Sequence, residues 1–460
     1  MSSRVPDLLK RALTVALVLG IALALLPQAA VAATPQTKTP IKHFVSLMQQ
    51  NHSFDNYFGT YPGVDGIPDN ACMPINPARP KAKCIKPFHL GVRAAPDLSQ
   101  NEEVFSAQYR NGRMNGFIDG LRQATGRITP TVMGYYDDSE IPFYWNVADQ
   151  YVLFDRFFAA SHGSSLRNAM YWMTGTPGNY TGQSIPPDGF GDLLTIFDRL
   201  QARRISWKVY IQNYDPGINF RSPRRSERSS QVNWMPLLAY DRFLDSGDLR
   251  RHLVDLNEYF DDLRAGNLPA VSYIVAPSGG SSEHAPGTEV AGQRFVKKLM
   301  NALIRSESWK SSAFMWTYDG WGGWYDHVKP PQVDSYGYGF RVPAVLVSPY
   351  ARRGYVQHET MDSTSILKFI EQNWGLPPLA SRDRKARTFL DAFDFASAPR
   401  EAAFTATERS VAKKPGANTV VIYVVYMLAV AFTGLVIAWA AFGWTPFNLR
   451  VPAGRGRTRR

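Results

Sequence analysis

Five short runs of consecutive β-branched, aromatic and aliphatic residues, at 43–48, 207–211, 270–275, 313–317 and 344–347, set the strongest limit on how this chain can fold. Each reads as a strand of a buried sheet, because its apolar residues are continuous rather than confined to alternate positions. Amphipathic helical patterns lie between them, over 193–203, 291–307 and 363–372. That alternation predicts an α/β sandwich with a largely parallel central sheet. Ligands of such sheets collect beyond the carboxyl ends of the strands, so the polar residues that follow each run are the ones to examine.

The two ends of the chain are built differently. Arg4, Lys10 and Arg11 precede an apolar run over 12–26, and Ala30-Val31-Ala32 follows it. This is the pattern of a removable signal peptide over 1–32, with a retained anchor as the alternative. Residues 420–444 carry no charge, and a helix of that length crosses a hydrocarbon core of roughly 30 Å. Tyr423, Tyr426, Trp439 and Trp444 suit its interfaces, and the tail over 445–460 holds Arg450, Arg455, Arg457, Arg459 and Arg460 with no acid. A basic tail of this kind stays cytoplasmic, which predicts a single-pass protein of the cell membrane with its bulk outside. The interval 38–395 shows no internal repeat and reads as one ectodomain, joined to the transmembrane helix by a polar linker over 396–419.

Net charge fits that layout. Of the formal +12, about +2 belongs to the leader and +5 to the tail, leaving about +5 for the ectodomain. With the basic excess largely at the termini, no nucleic-acid partner is expected. The two cysteines, Cys72 and Cys84, would close a short loop in an oxidising compartment. Their spacing comes with no further Cys or His that would make a zinc site.

Three constellations follow the runs. Gln50-Asn51-His52-Ser53 succeeds the first, and Asp319-Gly320-Trp321-Gly322-Gly323 with Asp326-His327 succeeds the fourth. Amide, carboxylate and imidazole groups converging there suit a divalent cation that neutralises a substrate anion. The same residues also suit a pair of Gly-rich turns capped by Asp and Asn. In the third, Ser161-His162-Gly163-Ser164-Ser165 stands at a helix N-terminus with Arg167, where free N–H groups attract an anion and a hydroxyl can act as nucleophile. Simple N-capping by Ser164 or Ser165 is the other reading.

These residues carry a resemblance. Lys42-His-Phe-Val, Asn51-His-Ser-Phe-Asp-Asn-Tyr-Phe-Gly, Met133-Gly-Tyr-Tyr, Ile141-Pro-Phe-Tyr, Asp155-Arg-Phe-Phe, Gly322-Gly-Trp-Tyr-Asp-His-Val and Arg341-Val-Pro-Ala-Val-Leu-Val stand in one order. From residue 41 to about 376 the chain resembles the phosphoesterase family that holds bacterial C-type phospholipases and a group of acid phosphatases. The resemblance implies an alkaline-phosphatase-like α/β fold and hydrolysis of phosphate mono- or diesters. It implies Ser165 as the nucleophile, with Ser164 as fallback, and a divalent cation of unknown identity at Asn51, Asp319 and Gln50. It also implies His284, in Glu283-His284-Ala285-Pro286, as the group that holds phosphate or protonates the leaving oxygen. His327 is a second candidate, either catalytic or structural.

The chain departs from the family at three positions: Gln50 stands where the family has Glu, Gly320 where it has a second acid, and Gln100 where a His is expected. Two carboxylates fewer weaken cation binding. The leading expectation is therefore a membrane-anchored phosphoesterase acting on phosphate esters or phospholipid. Its rival is a catalytically weakened relative that binds a phosphate-bearing lipid or envelope polymer. The tryptophans Trp145, Trp172, Trp321 and Trp324 either line a lipid-head pocket or pack in the core.

Overall fold

All five runs form strands of one eight-stranded sheet. In chain order its strands are β1 His43–Gln49, β2 Val152–Phe154, β3 Trp207–Ile211, β4 Leu253–Asp255, β5 Val271–Val275, β6 Ser312–Tyr318, β7 Ala344–Val347 and β8 Tyr355–Gln357. Across the sheet they run β8-β2-β7-β6-β1-β5-β3-β4. The computed structural model describes residues 36–409, apart from 92–96, 181, 183, 223–230, 277–280 and 285–287, and the helix Thr419–Phe442. The expected signal peptide, residues 410–418 of the expected linker and the basic tail lie outside the described residues.

Five of the seven strand pairings are parallel, and only β7 runs against its neighbours β6 and β2. The expected α/β architecture with a largely parallel sheet is therefore what the chain adopts. β1 lies at the centre with β5 on one side and β6 on the other, and Phe44, Val45 and Leu47 are fully buried. The strands that sequence reading missed, β2, β4 and β8, are three residues each, too short to show a period.

Helices flank the sheet: α1 Phe54–Phe58, α2 Ser165–Thr174, α3 Ile196–Ala202, α4 Glu289–Arg305 and α5 Ser363–Trp374. Their boundaries follow their caps. Thr195 and Asp198 form a capping box that starts α3 inside the expected 193–203, and the Thr288 cap starts α4 at Glu289, two residues before the expected 291. Cys72 and Cys84 are bridged, with Cα atoms 5.4 Å apart.

One contact ties a helix to the middle of the sheet. The Trp172 indole N–H on α2 donates to Ser46 Oγ of β1 at 2.9 Å, and its ring stacks on Tyr273 of β5 at 4.2 Å. The C-terminal half of α2 is thereby held against β1 and β5.

Residues beyond 409 form a second unit that contains α6 Thr419–Phe442. Among the described residues no helix is long and apolar enough to cross a membrane, so a transmembrane helix is not shown. The backbone of α6 is helical over 24 residues.

Trp172→Ala removes a fully buried indole and the Ser46 bond together. The expected cost is about 3–5 kcal/mol, measured as a lowered urea midpoint with an unchanged m-value.

Candidate active site

Parallel register brings two strand ends side by side. Gln49 pairs with Tyr318, the Asp319 N–H donates to the Gln49 carbonyl at 3.0 Å, and the Asn51 N–H donates to Asp319 Oδ1 at 3.3 Å. Asn51 is left-handed, with φ of 73°, a conformation that Asn tolerates better than most residues. Gly322 lies hard against it, since a Cβ there would come within 2.0 Å of the Asn51 carbonyl oxygen. The glycines after Asp319 thus let two loops meet.

Ser165 is the first residue of α2. Ser164 caps the helix, its Oγ accepting from the Arg167 N–H at 3.2 Å, so that oxygen is already committed. The Ser165 hydroxyl instead faces the Asp319 carboxyl and acts to lower its pKa, at the positive end of the helix. Burial pushes the Asp319 carboxyl up to about 6, against the opposing pull of the Ser165 hydroxyl, His284 and the Asn51 and Gly320 N–H groups. Arg167, expected to attract an anion, is buried, lies over the Tyr336 ring and faces Glu102 at 3.5 Å.

The third side of the site is the segment 281–284. The Asn51 side-chain amide donates to His284 Nδ1 at 2.7 Å, which makes Nδ1 an acceptor and leaves the ring proton on Nε2. The His284 N–H donates to Ser282 Oγ, whose hydroxyl donates to Gln50 Oε1 at 2.8 Å, while Gln50 Nε2 donates to the Ala276 carbonyl at 3.2 Å. Both ends of the Gln50 amide are therefore engaged in pinning this segment. A carboxylate there could not donate to Ala276.

Whether these residues suit the cation implied by the resemblance turns on which oxygens remain. Asn51 Oδ1 and Asp319 Oδ2 are buried with no protein hydrogen-bond partner. Gln50 Oε1 is occupied by Ser282, and Gly320 offers no side chain. A Cβ at Gly320 would meet only Gln100 Oε1, 3.9 Å away. The positions that lack an acid and a His are thus neighbours across one open space. The residues fit an ion held by two protein oxygens, with water and a substrate phosphate completing its shell. They do not fit a site closed by protein alone.

A cavity of about 300 Å³ opens at Ser165, lined by Gln100, Asn101, Ser164, Asn233 and Trp234 among others, and no described lining residue is charged. The Trp234 ring stands edge-on to His284 with centroids 6.3 Å apart. Trp145, Trp172, Trp321 and Trp324 are buried in the core and do not line this cavity. Asn233 and Trp234 lie in no motif, and sequence reading missed them.

His327 belongs to a different assembly. Its backbone N–H and its Nδ1 both meet Asp55 Oδ2, at 2.8 and 2.7 Å, and its Nε2 faces Asp65 at 3.2 Å. Buried Arg341 binds Asp55 and Asp326 and donates to the Asp65 and Asp155 carbonyls. Two groups among the described residues could hold a metal ion: Asp55, Asp326 and His327, and His89, Asp137 and Glu140. In the first, Arg341 already supplies the positive charge.

A helix-borne serine, a buried acid, an amide and an imidazole at the carboxyl ends of a parallel sheet define an α/β hydrolytic enzyme. Residues 41–377 match the phosphoesterase family, and the chain belongs to it. It is a hydrolase acting on phosphoester bonds. Its relatives include phospholipase C A of Mycobacterium tuberculosis, 30% identical over 79% of each chain. Non-specific phospholipase C1 of Arabidopsis thaliana is 29% identical, over 79% of this chain and 72% of the relative. Non-hemolytic phospholipase C of Pseudomonas aeruginosa is 27% identical, over 78% of this chain and 58% of that one. Among solved structures, an alkaline phosphatase superfamily protein of Vibrio parahaemolyticus matches with a TM-score of 0.39 and 11% identity, over 78% of this chain and 72% of that one.

The Asp55 partner raises the His327 pKa above 6.5 despite burial, which acts to lower it. The pair therefore stabilises the fold fully below pH 6.5 and fades as pH rises through the raised value. His327→Gln is expected to cost about 1.5–3 kcal/mol below pH 6.5, and less above it. Urea denaturation across that range checks both magnitude and sign.

Proposed function

We propose that the chain is an exported, membrane-anchored phosphoesterase of the phospholipase C type, with Ser165 as nucleophile. The observation that carries this reading is the Ser165 hydroxyl at the first turn of α2, facing Asp319 beside the Asn51–His284 pair. Ser165 Oγ attacks phosphorus as its proton passes to the Asp319 carboxylate, and the bond from phosphorus to the leaving alcohol breaks. The His284 Nε2–H hydrogen-bonds to the departing oxygen, which takes its proton from water, and the proton held on Asp319 neutralises the hydroxide left behind. The first N–H groups of α2 face the charge that develops on the phosphoryl oxygens. Water then displaces serine from the phosphoseryl enzyme. Asn51 Oδ1 and Asp319 Oδ2 would hold the divalent cation, which supplies charge neutralisation when bound. The names of the relatives support a phospholipid substrate, with other phosphate esters as the broader class.

The uncharged length of α6 and the basic residues that follow it support anchoring from the membrane, with the active site outside the cell. A single carboxylate at the cation site favours a second reading, in which the cavity binds a phosphate-bearing lipid or envelope polymer and turns it over poorly.

Full-length protein in detergent, assayed on aryl phosphate, aryl phosphodiester and phosphatidylcholine, separates the two. The enzyme reading expects Ser165→Ala to lower kcat by about a thousandfold or more, and expects chelation to remove activity that added divalent ions restore. Turnover that Ser165→Ala leaves intact contradicts it. Silence in the parent, with activity gained by joint Gly320→Asp and Gln100→His, supports the binding reading. For the anchor, the full chain is expected in the membrane pellet after alkaline carbonate washing, and a chain ending at residue 409 in the supernatant. Release of the full chain contradicts a span.

A further inference from the structure

We propose that Glu283 is a positioning residue, whose tyrosine-bound carboxylate fixes the segment 281–284 so that His284 meets Asn51. The proposal rests on His284 as hydrogen-bond donor to the leaving oxygen and names what holds that ring in place.

Three hydroxyls from separate parts of the chain converge on this one carboxylate. Tyr57 of α1 donates at 2.5 Å, Tyr144 at 2.5 Å, and Tyr318 of β6 at 2.9 Å. All four side chains are buried. Burial, with Glu283 beside them, lifts all three tyrosine pKa values well above 10, so the hydroxyls remain donors. No Lys or Arg is among the groups that donate to this carboxylate.

A buried acid held by neutral donors is a costly way to fill a core, since an apolar residue would need no partners. Room has also been made for it on α4. A Cβ at Gly292 would come within 2.0 Å of Glu283 Oε1, so the helix carries glycine where alanine would favour helix formation.

What the arrangement secures is the placement of four consecutive residues. Gln212 and Gln49 hold Ser281, Gln50 holds Ser282, the tyrosines hold Glu283, and Asn51 meets His284. The His52 ring stacks on Tyr57 at 4.2 Å, behind the carboxylate. Glu283 is the one member of this segment anchored deep among aromatic rings, directly before the residue that faces the site.

The test is a double-mutant cycle in the full-length protein, with an aryl phosphodiester as substrate. Glu283→Gln and Tyr144→Phe are expected to lower kcat by about tenfold or more with KM within about twofold, because misplacement costs rate rather than binding. Glu283→Gln in a His284→Ala background is expected to cost nothing further. Gly292→Ala, placed on α4, is expected to reproduce the kcat loss, and hydrogen exchange is expected to speed up in the peptide spanning 281–284. An equal loss from Glu283→Gln with or without His284, or full activity in Glu283→Gln while His284→Ala is impaired, overturns the positioning role alone. A fully active His284→Ala, or a parent without turnover, overturns the reading on which it stands.

Discussion

The parallel pairing of β1 with β6 is the constraint on which the rest depends. It places Gln49 beside Tyr318, so that Asn51, two residues beyond β1, and Asp319, the first beyond β6, leave the sheet together and bond to one another. A slip of one residue would turn every buried side chain of β1 to the opposite face. Trp172 then fixes α2 to the same strand, and the Ser165 hydroxyl arrives at Asp319. Serine, acid and amide are thus located by core packing. His284 alone is brought in by a loop, which is why residues 281–284 of that loop are each tied.

The site is economical in charge. Asp319 is the sole carboxylate that the Ser165 hydroxyl, the Asn51 N–H and the pull of His284 address together. The cavity around Ser165 is walled by amides, hydroxyls and an indole. Gln50 shows how an acid-to-amide difference changes a residue's work, since its amide bridges Ser282 and Ala276, which needs a donor as well as an acceptor. Gly320 and Gln100 sit across one open space, so their two departures from the family alter one place rather than two. Any ion there depends on substrate and water for most of its shell.

Much of this was legible from the residues. The five strands stood out because central strands of a parallel sheet are apolar on every position; the strand-end rule then led to Asn51 and Asp319, and the family resemblance to Ser165. The short strands β2, β4 and β8 were not legible, having too few residues to carry a pattern. Spacing alone left Ser164 and Ser165 both as caps; the resemblance put Ser165 first, and Ser164 Oγ is the one that caps α2. Glu283, Tyr144, Asn233 and Trp234 were missed because they come together only through long-range folding. His327 stood in the most conspicuous motif, yet it lies with Asp55, Asp65 and Arg341 in a buried ion network.

The central claim is that Ser165 carries the phosphoryl group. Acid-quenched mass spectrometry of the full-length protein during turnover of an aryl phosphate tests it directly. The account predicts a phosphoryl adduct on the peptide that begins α2, localised to Ser165 and absent from Ser165→Ala. An adduct on Ser164 or on a histidine, or turnover that continues in Ser165→Ala, would contradict it.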